Sequence, residues 1–154
     1  YQGHGEIGPR ALGNRSILMD PTIKNGKQKI NGVKKREHWR PFGASVKQDQ
    51  AHRFFEMTDS PYMMYNTKVK YSGISAVTHR DGTCRHNTVT PEMNPVYYEL
   101  LDQFERLTGL PVLLNTSANL QGEAICGTRD QAVEIFNRAK GIDTMVIGNK
   151  TWTR

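Results

Sequence analysis

The chain has 154 residues, 36% apolar and 23% charged, with a formal net charge of +6. That length suits one domain with a buried core, and the composition excludes a disordered or fibrous chain. No apolar run is long enough for a membrane helix.

The excess of Lys and Arg points to anionic partners, but it is spread along the chain rather than gathered in a tail. This weakens a purely non-specific nucleic-acid reading. Cys84 and Cys126 lie far apart without metal-ligand spacing, so idle or buried thiols of a reducing, cytoplasmic compartment are expected. No signal peptide opens the sequence, and Tyr1 in place of Met suits an excised part of a longer protein.

In chain order, Tyr1 to Gly8 carries three glycines and no periodicity, and reads as a loop. The run Gly8-Pro9-Arg10-Ala11-Leu12-Gly13-Asn14-Arg15-Ser16 sets two arginines among glycines. Glycines let a ligand approach the backbone, and arginines offer planar donors to phosphate or carboxylate; a turn whose arginines pair with surface acids is the bland alternative. Ile17-Leu18-Met19 is expected to be a strand, stopped by Asp20-Pro21. Helical spacing of Ile23, Ile30 and Val33 predicts a helix over 22–33.

The next stretch, Asn31 to Phe42, packs Lys34, Lys35, Arg36 and Arg40 around Trp39, with Glu37 as the one carboxylate, before Pro41 breaks the run. Cations beside an aromatic suit a polyanion with a flat base. A solvated basic helix end is the alternative, and on this stretch alone it is slightly favoured. Phe42 to Val46 follows as a strand.

A short helix is expected over 49–56 and a strand over 62–69. Ile74 to Thr78 and Thr83 to Thr90 flank Asp81-Gly82, which predicts a hairpin. Asn94-Pro95 opens a helix with Val96, Leu100, Leu101, Phe104 and Leu107 as its apolar stripe, ended by Gly109. Pro111 to Leu114 reads as a strand covered on both faces. It runs into Asn115-Thr116-Ser117-Ala118-Asn119, small polar residues at a strand end, where α/β sheets bind ligands. A polar turn explains that run equally well. Thr128 and Gln131 form a capping box for a helix with Ala132, Val133, Ile135 and Phe136 inward. Thr144 to Ile147 is the closing strand. The sum is an α/β domain of about seven strands and four helices, a count read from the strand and helix signals along the sequence.

His4, His38, His52, His79 and His86 are scattered, so no metal site made by this chain alone is expected. Walker A, dinucleotide and nucleophile-elbow motifs are missing. The remaining inventory, clustered cations at turns plus an Asn-Thr-Ser run, is sufficient for phosphoryl or adenylyl transfer, which needs mainly positioning and charge neutralisation.

Four ordered motifs resemble the C-terminal domain of the O-carbamoyltransferases of the nodulation, tobramycin and cephamycin type. They are Glu6-x-Gly8-Pro9-Arg10-Ala11-Leu12-Gly13-Asn14-Arg15-Ser16, Asn31-x-x-Lys34-x-Arg36-Glu37-x-x-Arg40-Pro41-Phe42, His79-x-Asp81-Gly82-Thr83-x-Arg85, and Gly109-x-Pro111-Val112-Leu113-Leu114-Asn115-Thr116-Ser117-x-Asn119-x-x-Gly122-Glu123. The resemblance implies a YrdC-like twisted mixed sheet with flanking helices. It implies that the domain takes ATP, with magnesium, and carbamoyl phosphate to make carbamoyl-adenylate. A separate N-terminal domain, actin/hsp70-like with its own metal site, would pass the carbamoyl group to a hydroxyl.

Carried over, Lys34 would contact nucleotide phosphates, Arg40 and Arg85 would grip carbamoyl phosphate, and Ser117 would sit against the adenylate. Arg10, Asn14, Arg15 and Asn115 would assist in binding. The chain departs from the family pattern at Gly43-Ala44, Ala118, Ala124 and Cys84-Arg85-His86-Asn87, so the pocket walls are expected to differ. Two other readings stay open: an RNA-binding module of YrdC-like type, and a regulatory domain that binds nucleotide without turnover. Neither a membrane nor, on balance, a nucleic acid is the expected partner.

Overall fold

A computed structural model describes residues 1–154. Its centre is a five-stranded mixed sheet in the order β1-β5-β2-β4-β3. The strands are β1 (Ser16–Met19), β2 (Gly43–Lys47), β3 (Asn66–Lys68), β4 (Thr83–Val89) and β5 (Val112–Ser117). β5 runs antiparallel to both β1 and β2, β2 runs parallel to β4, and β3 closes the far edge antiparallel to β4. The helices are α1 (Gly26–Val33), α2 (Pro95–Thr108) and α3 (Arg129–Arg138), and a hairpin of β6 (Thr144–Ile147) and β7 (Lys150–Thr153) lies apart from the main sheet. The α/β architecture expected from the sequence is therefore present.

Side chains alternate across a strand, so the register divides the sheet into two faces. One face presents Leu114 and Val112 from β5, Ala44 and Val46 from β2, and Cys84 from β4 to the main core. That core is filled by Ile30 and Val33 of α1, Ile135 of α3, and Phe54 and Phe55. The other face carries Asn115 and Ser117 from β5, Gly43 and Ser45 from β2, and Arg85 and Asn87 from β4. α2 covers only one end of it, where Tyr97 and Leu101 meet Leu113 and Val89. Lys47 holds α2 in place through Asp102 at 2.8 Å and Glu105 at 2.9 Å.

Several expected elements are corrected. α1 starts at Gly26 rather than Thr22, because Asp20 caps a turn through the Thr22 N–H at 2.8 Å and Asn25 is left-handed at φ 61°. Ile74 to Thr78 is no strand: the Val77 and Thr78 N–H groups both return to the Ile74 carbonyl, making a buried turn. The hairpin partner of β4 is therefore β3, which is shorter than the 62–69 run suggested. The short helix over 49–56 is a 3₁₀ segment, Gln48–Arg53.

α2 has the expected Asn94 cap and Gly109 stop, but its buried side is Tyr97 and Leu101. Val96, Leu100 and Leu107 are exposed. The α3 capping box is formed as expected, with Ile135 and Phe136 buried and Val133 exposed. β7 was not anticipated; Gly148, at φ 59°, turns the chain back after β6.

Candidate active site

The floor of the site is the small, polar half of the sheet. Ser45 donates its hydroxyl hydrogen to Asn87 Oδ1, and Asn115 Nδ2 donates to Ser45 Oγ at 2.9 Å. Asn115 Nδ2 also reaches the Ala11 carbonyl at 3.0 Å, which ties the Arg10 loop to the floor. Glu6 braces the same loop, accepting from the Leu12 N–H at 2.7 Å and the Asn14 N–H at 2.8 Å.

Arg85 rises from this floor, and Arg10, in the loop tied to it, is near enough for its charge to act on Arg85. Burial, and next the positive charge of Arg10, lower the pKa of Arg85. Neither arginine takes part in any ion pair of the structure, and the Nε of each is buried without an acceptor. Guanidinium groups without a carboxylate partner are chemically suited to an anion.

Lys34 and Ser117 form the second part. Lys34 is buried at the end of α1, and its Nζ donates to the Ser117 carbonyl at 2.6 Å, the Asn119 carbonyl at 2.9 Å and Asn119 Oδ1 at 2.9 Å. Ser117 Oγ lies 3.4 Å from the same Nζ and donates to Asn119 Oδ1 at 2.6 Å. Burial first, then the Arg36 guanidinium, push the pKa of Lys34 down to about 7. An anion arriving beside it would favour the charged form.

The basic stretch that stands out in the sequence divides on folding. Lys34 turns inward, whereas Arg36 lies over the Phe42 ring at 4.5 Å and donates to Asn31 Oδ1 at 2.7 Å. Arg40 is exposed on the rim, paired with Glu37 at 2.9 Å, beside an exposed Trp39. Asn31 is wholly buried and holds the carbonyls of His38 and Arg40 at 3.1 and 3.0 Å, so it shapes this rim. His79 secures its end, with Nε2 3.2 Å from the Phe42 carbonyl. Burial, the largest cause, lowers the pKa of His79.

Of the residues expected from sequence, Arg10, Arg85 and Asn115 share the floor, Lys34 joins Ser117, and Arg40 stands at the rim. Asn14 and Arg15 are engaged internally. Arg15 is buried, donates to the carbonyls of Gln2, Gly3 and Asn14, and lies over the Tyr1 ring at 3.6 Å. Asn14 donates to the His4 carbonyl at 2.9 Å and accepts from Asn94 at 3.0 Å. Sequence reasoning assigned no individual role to Ser45, Asn87 or Asn31, and named Asn119 only as part of the polar run over 115–119. The readable signal was a polar residue inside an apolar strand or on the buried side of a helix.

A cavity of ≈ 400 Å³ lies elsewhere, between α2, α3 and β6, and is walled mainly by side chains such as Leu100, Phe136 and Val146. Its guanidinium, Arg15, gives both terminal nitrogens to main-chain carbonyls and keeps only a buried Nε without a partner.

Comparison with known proteins identifies the family. The family described as Carbamoyltransferase C-terminus matches residues 1–154. The chain belongs to that family. It is 45% identical to nodulation protein NolNO of Sinorhizobium fredii over 96% of this chain and 23% of that protein. It is 40% identical to the 3'-hydroxymethylcephem-O-carbamoyltransferase of Amycolatopsis lactamdurans over 98% of this chain and 29% of that protein. Nodulation protein U of Rhizobium tropici is 43% identical over 78% of this chain and 22% of that protein. This carbamoyltransferase C-terminal domain thus spans about a quarter of the length of these curated relatives. No helix in it is long and apolar enough to cross a membrane.

Proposed function

We propose that this domain performs the activating half of an O-carbamoyl transfer, converting ATP and carbamoyl phosphate to carbamoyl-adenylate. The observation that carries the reading is the pair Arg10 and Arg85, two guanidinium groups without acid partners on a hydrogen-bonded polar floor. The chemistry balances with one water. Water releases phosphate from carbamoyl phosphate, and a carbamate oxygen then displaces pyrophosphate from the α-phosphorus of ATP. Both steps move phosphoryl charge, which positioned cations stabilise.

In this reading Arg85 and Arg10 bind the phosphate of carbamoyl phosphate, with Arg40 closing from the rim. Lys34 and Ser117 face the nucleotide phosphates and the adenylate, and magnesium arrives with ATP. Transfer to a hydroxyl belongs to a partner domain, N-terminal in the same or another chain. The relatives' greater length and the family's description as a C-terminus support that division. Nucleic acid has no place in the proposal, since the positive charge is spread along the chain rather than gathered in a tail.

The test is to incubate the purified chain with ATP, magnesium and carbamoyl phosphate. Pyrophosphate release that depends on carbamoyl phosphate, together with a carbamoyl adduct of AMP, is expected. Folded protein that releases no pyrophosphate refutes the reading.

A further inference from the structure

Asn115 is 1% exposed and pairs with Gly43 across β2 and β5. Its amide nitrogen is fully used, donating to the Ala11 carbonyl and to Ser45 Oγ. A main-chain carbonyl can only accept, so this bond fixes which end of the amide is nitrogen. The other end, Oδ1, is buried with no hydrogen-bond donor. Ser45 cannot supply one, because its hydroxyl hydrogen goes to Asn87. A buried acceptor left in this state costs about 1–3 kcal/mol, so it marks a place where a ligand can contribute an N–H.

The neighbouring strand offers the complementary demand. Arg85 rises from the same sheet face, on the other side of β2, with an Nε that lacks an acceptor. Gly43 lies between the two and has no side chain. The room above it is bounded by the Arg85 main-chain carbonyl and the thioether of Met63, each with an atom 2.7 Å from where a Cβ would stand. Met63 sits in a short arch between Ser60, bonded to the His86 carbonyl at 2.8 Å, and Asn66, paired with Arg85. A methionine end is flexible enough to yield this space to a small ligand. The floor therefore suits one molecule with an anion at one end and an N–H donor at the other.

We propose that Asn115 Oδ1 accepts the amide N–H of the carbamoyl group, making Asn115 the residue that selects carbamoyl phosphate over acyl phosphates. The inference rests on the proposed reading of the site as a carbamoyl phosphate site. Acetyl phosphate is the decisive comparison, since a methyl group replaces the amide nitrogen at nearly constant size. A site that leaves its own acceptor unpaired rejects such an analogue strongly.

The experiment measures binding by ligand-induced melting shift, and turnover by pyrophosphate release, for carbamoyl phosphate, acetyl phosphate and inorganic phosphate. Wild type is expected to prefer carbamoyl phosphate over acetyl phosphate by about tenfold or more. Asn115→Ala should lose most of that preference, beyond any loss shared by all three ligands that comes from loosening the Arg10 loop; Asn115→Ser serves if the alanine variant folds poorly. Equal use of the two acyl phosphates by wild type overturns the inference even if no variant folds. A carbamoyl-to-acetyl ratio that stays at the wild-type value in the variant overturns it too, since Asn115 would then act only by holding the floor. Carbamoyl phosphate that binds without pyrophosphate release refutes the turnover reading while the binding ratio still decides this one. No binding of carbamoyl phosphate refutes both.

Discussion

The two faces of the central sheet are built from the same strands and obey different rules. On one face Leu114, Val112, Ala44 and Val46 are fully buried among apolar neighbours, and removal of surface from water holds them there. On the other, Asn115, Ser45 and Asn87 are almost equally buried yet polar, and a chain of hydrogen bonds replaces their water. The first face holds one polar exception, His86, which is stacked on Phe55 with both ring nitrogens buried and unpartnered. The second leaves Asn115 Oδ1 and Arg85 Nε unsatisfied, with Arg10 Nε in the loop tied to it. What sets the second face apart is unmet hydrogen-bonding capacity on cations beside a polar floor, rather than burial alone.

The contrast can be tested from either side. The largest effect is expected on the apolar face. Leu114→Ala should cost about 2–5 kcal/mol of stability, read as a lower urea midpoint, with pyrophosphate release per folded molecule kept. On the polar face, Ser45→Val should cost about 1–3 kcal/mol, because it removes the partner of both Asn87 and Asn115, and it should lower activity as well.

Next comes the pH response of Lys34. Its pKa is lowered to about 7 in the fold and returns to about 10.4 on unfolding. The unfolded chain then binds the extra proton between those values. Stability without ligand should rise on the order of 1 kcal/mol per pH unit as pH climbs from about 7 towards 10, and level off below 7, where both states carry the proton. Lys34→Met should flatten that slope in urea titrations, and saturating ATP should reduce it in wild type. The smallest structural effect is expected at the rim. Arg40→Lys breaks only the exposed pair with Glu37, worth about 0–1 kcal/mol. The melt should stay unchanged while pyrophosphate release drops several-fold.

The sequence revealed the apolar face more readily than the polar one, and the reason is physical. The run Pro111 to Leu114 announces a buried strand because burial of apolar groups depends on residue type alone. The Asn94 and Thr128 caps are equally local, since donor and acceptor lie three residues apart. Ile74 to Thr78 misled because an apolar run can be buried as a turn as well as a strand. β7 was missed because Lys150 to Thr153 is exposed throughout and shows no alternation of burial.

At the site, the ordered motifs point to Lys34, Arg40, Arg85 and Ser117, with Arg10, Asn14, Arg15 and Asn115 as assisting residues. They could not separate Arg10 from Arg15, five residues apart in one glycine-rich loop. Folding gives both terminal nitrogens of Arg15 to main-chain carbonyls, leaving only its Nε unpartnered, and sets Arg10 beside Arg85, an outcome decided by contacts across the chain. The same holds for Asn115, whose unmet oxygen exists only because Ala11 and Ser45 claim its nitrogen.

Pyrophosphate release by Arg85→Lys, and by the double variant with Arg10→Lys, measured beside the ligand-free melting temperature, tests the central claim most directly. If these arginines are the unpaired cations of an anion site, lysine keeps the charge but loses the planar pair of donors. Activity should fall about tenfold or more with each single change and further with both, while the melting temperature stays at the wild-type value. Wild-type activity in the double variant would contradict the account and place the phosphate site away from this face of the sheet.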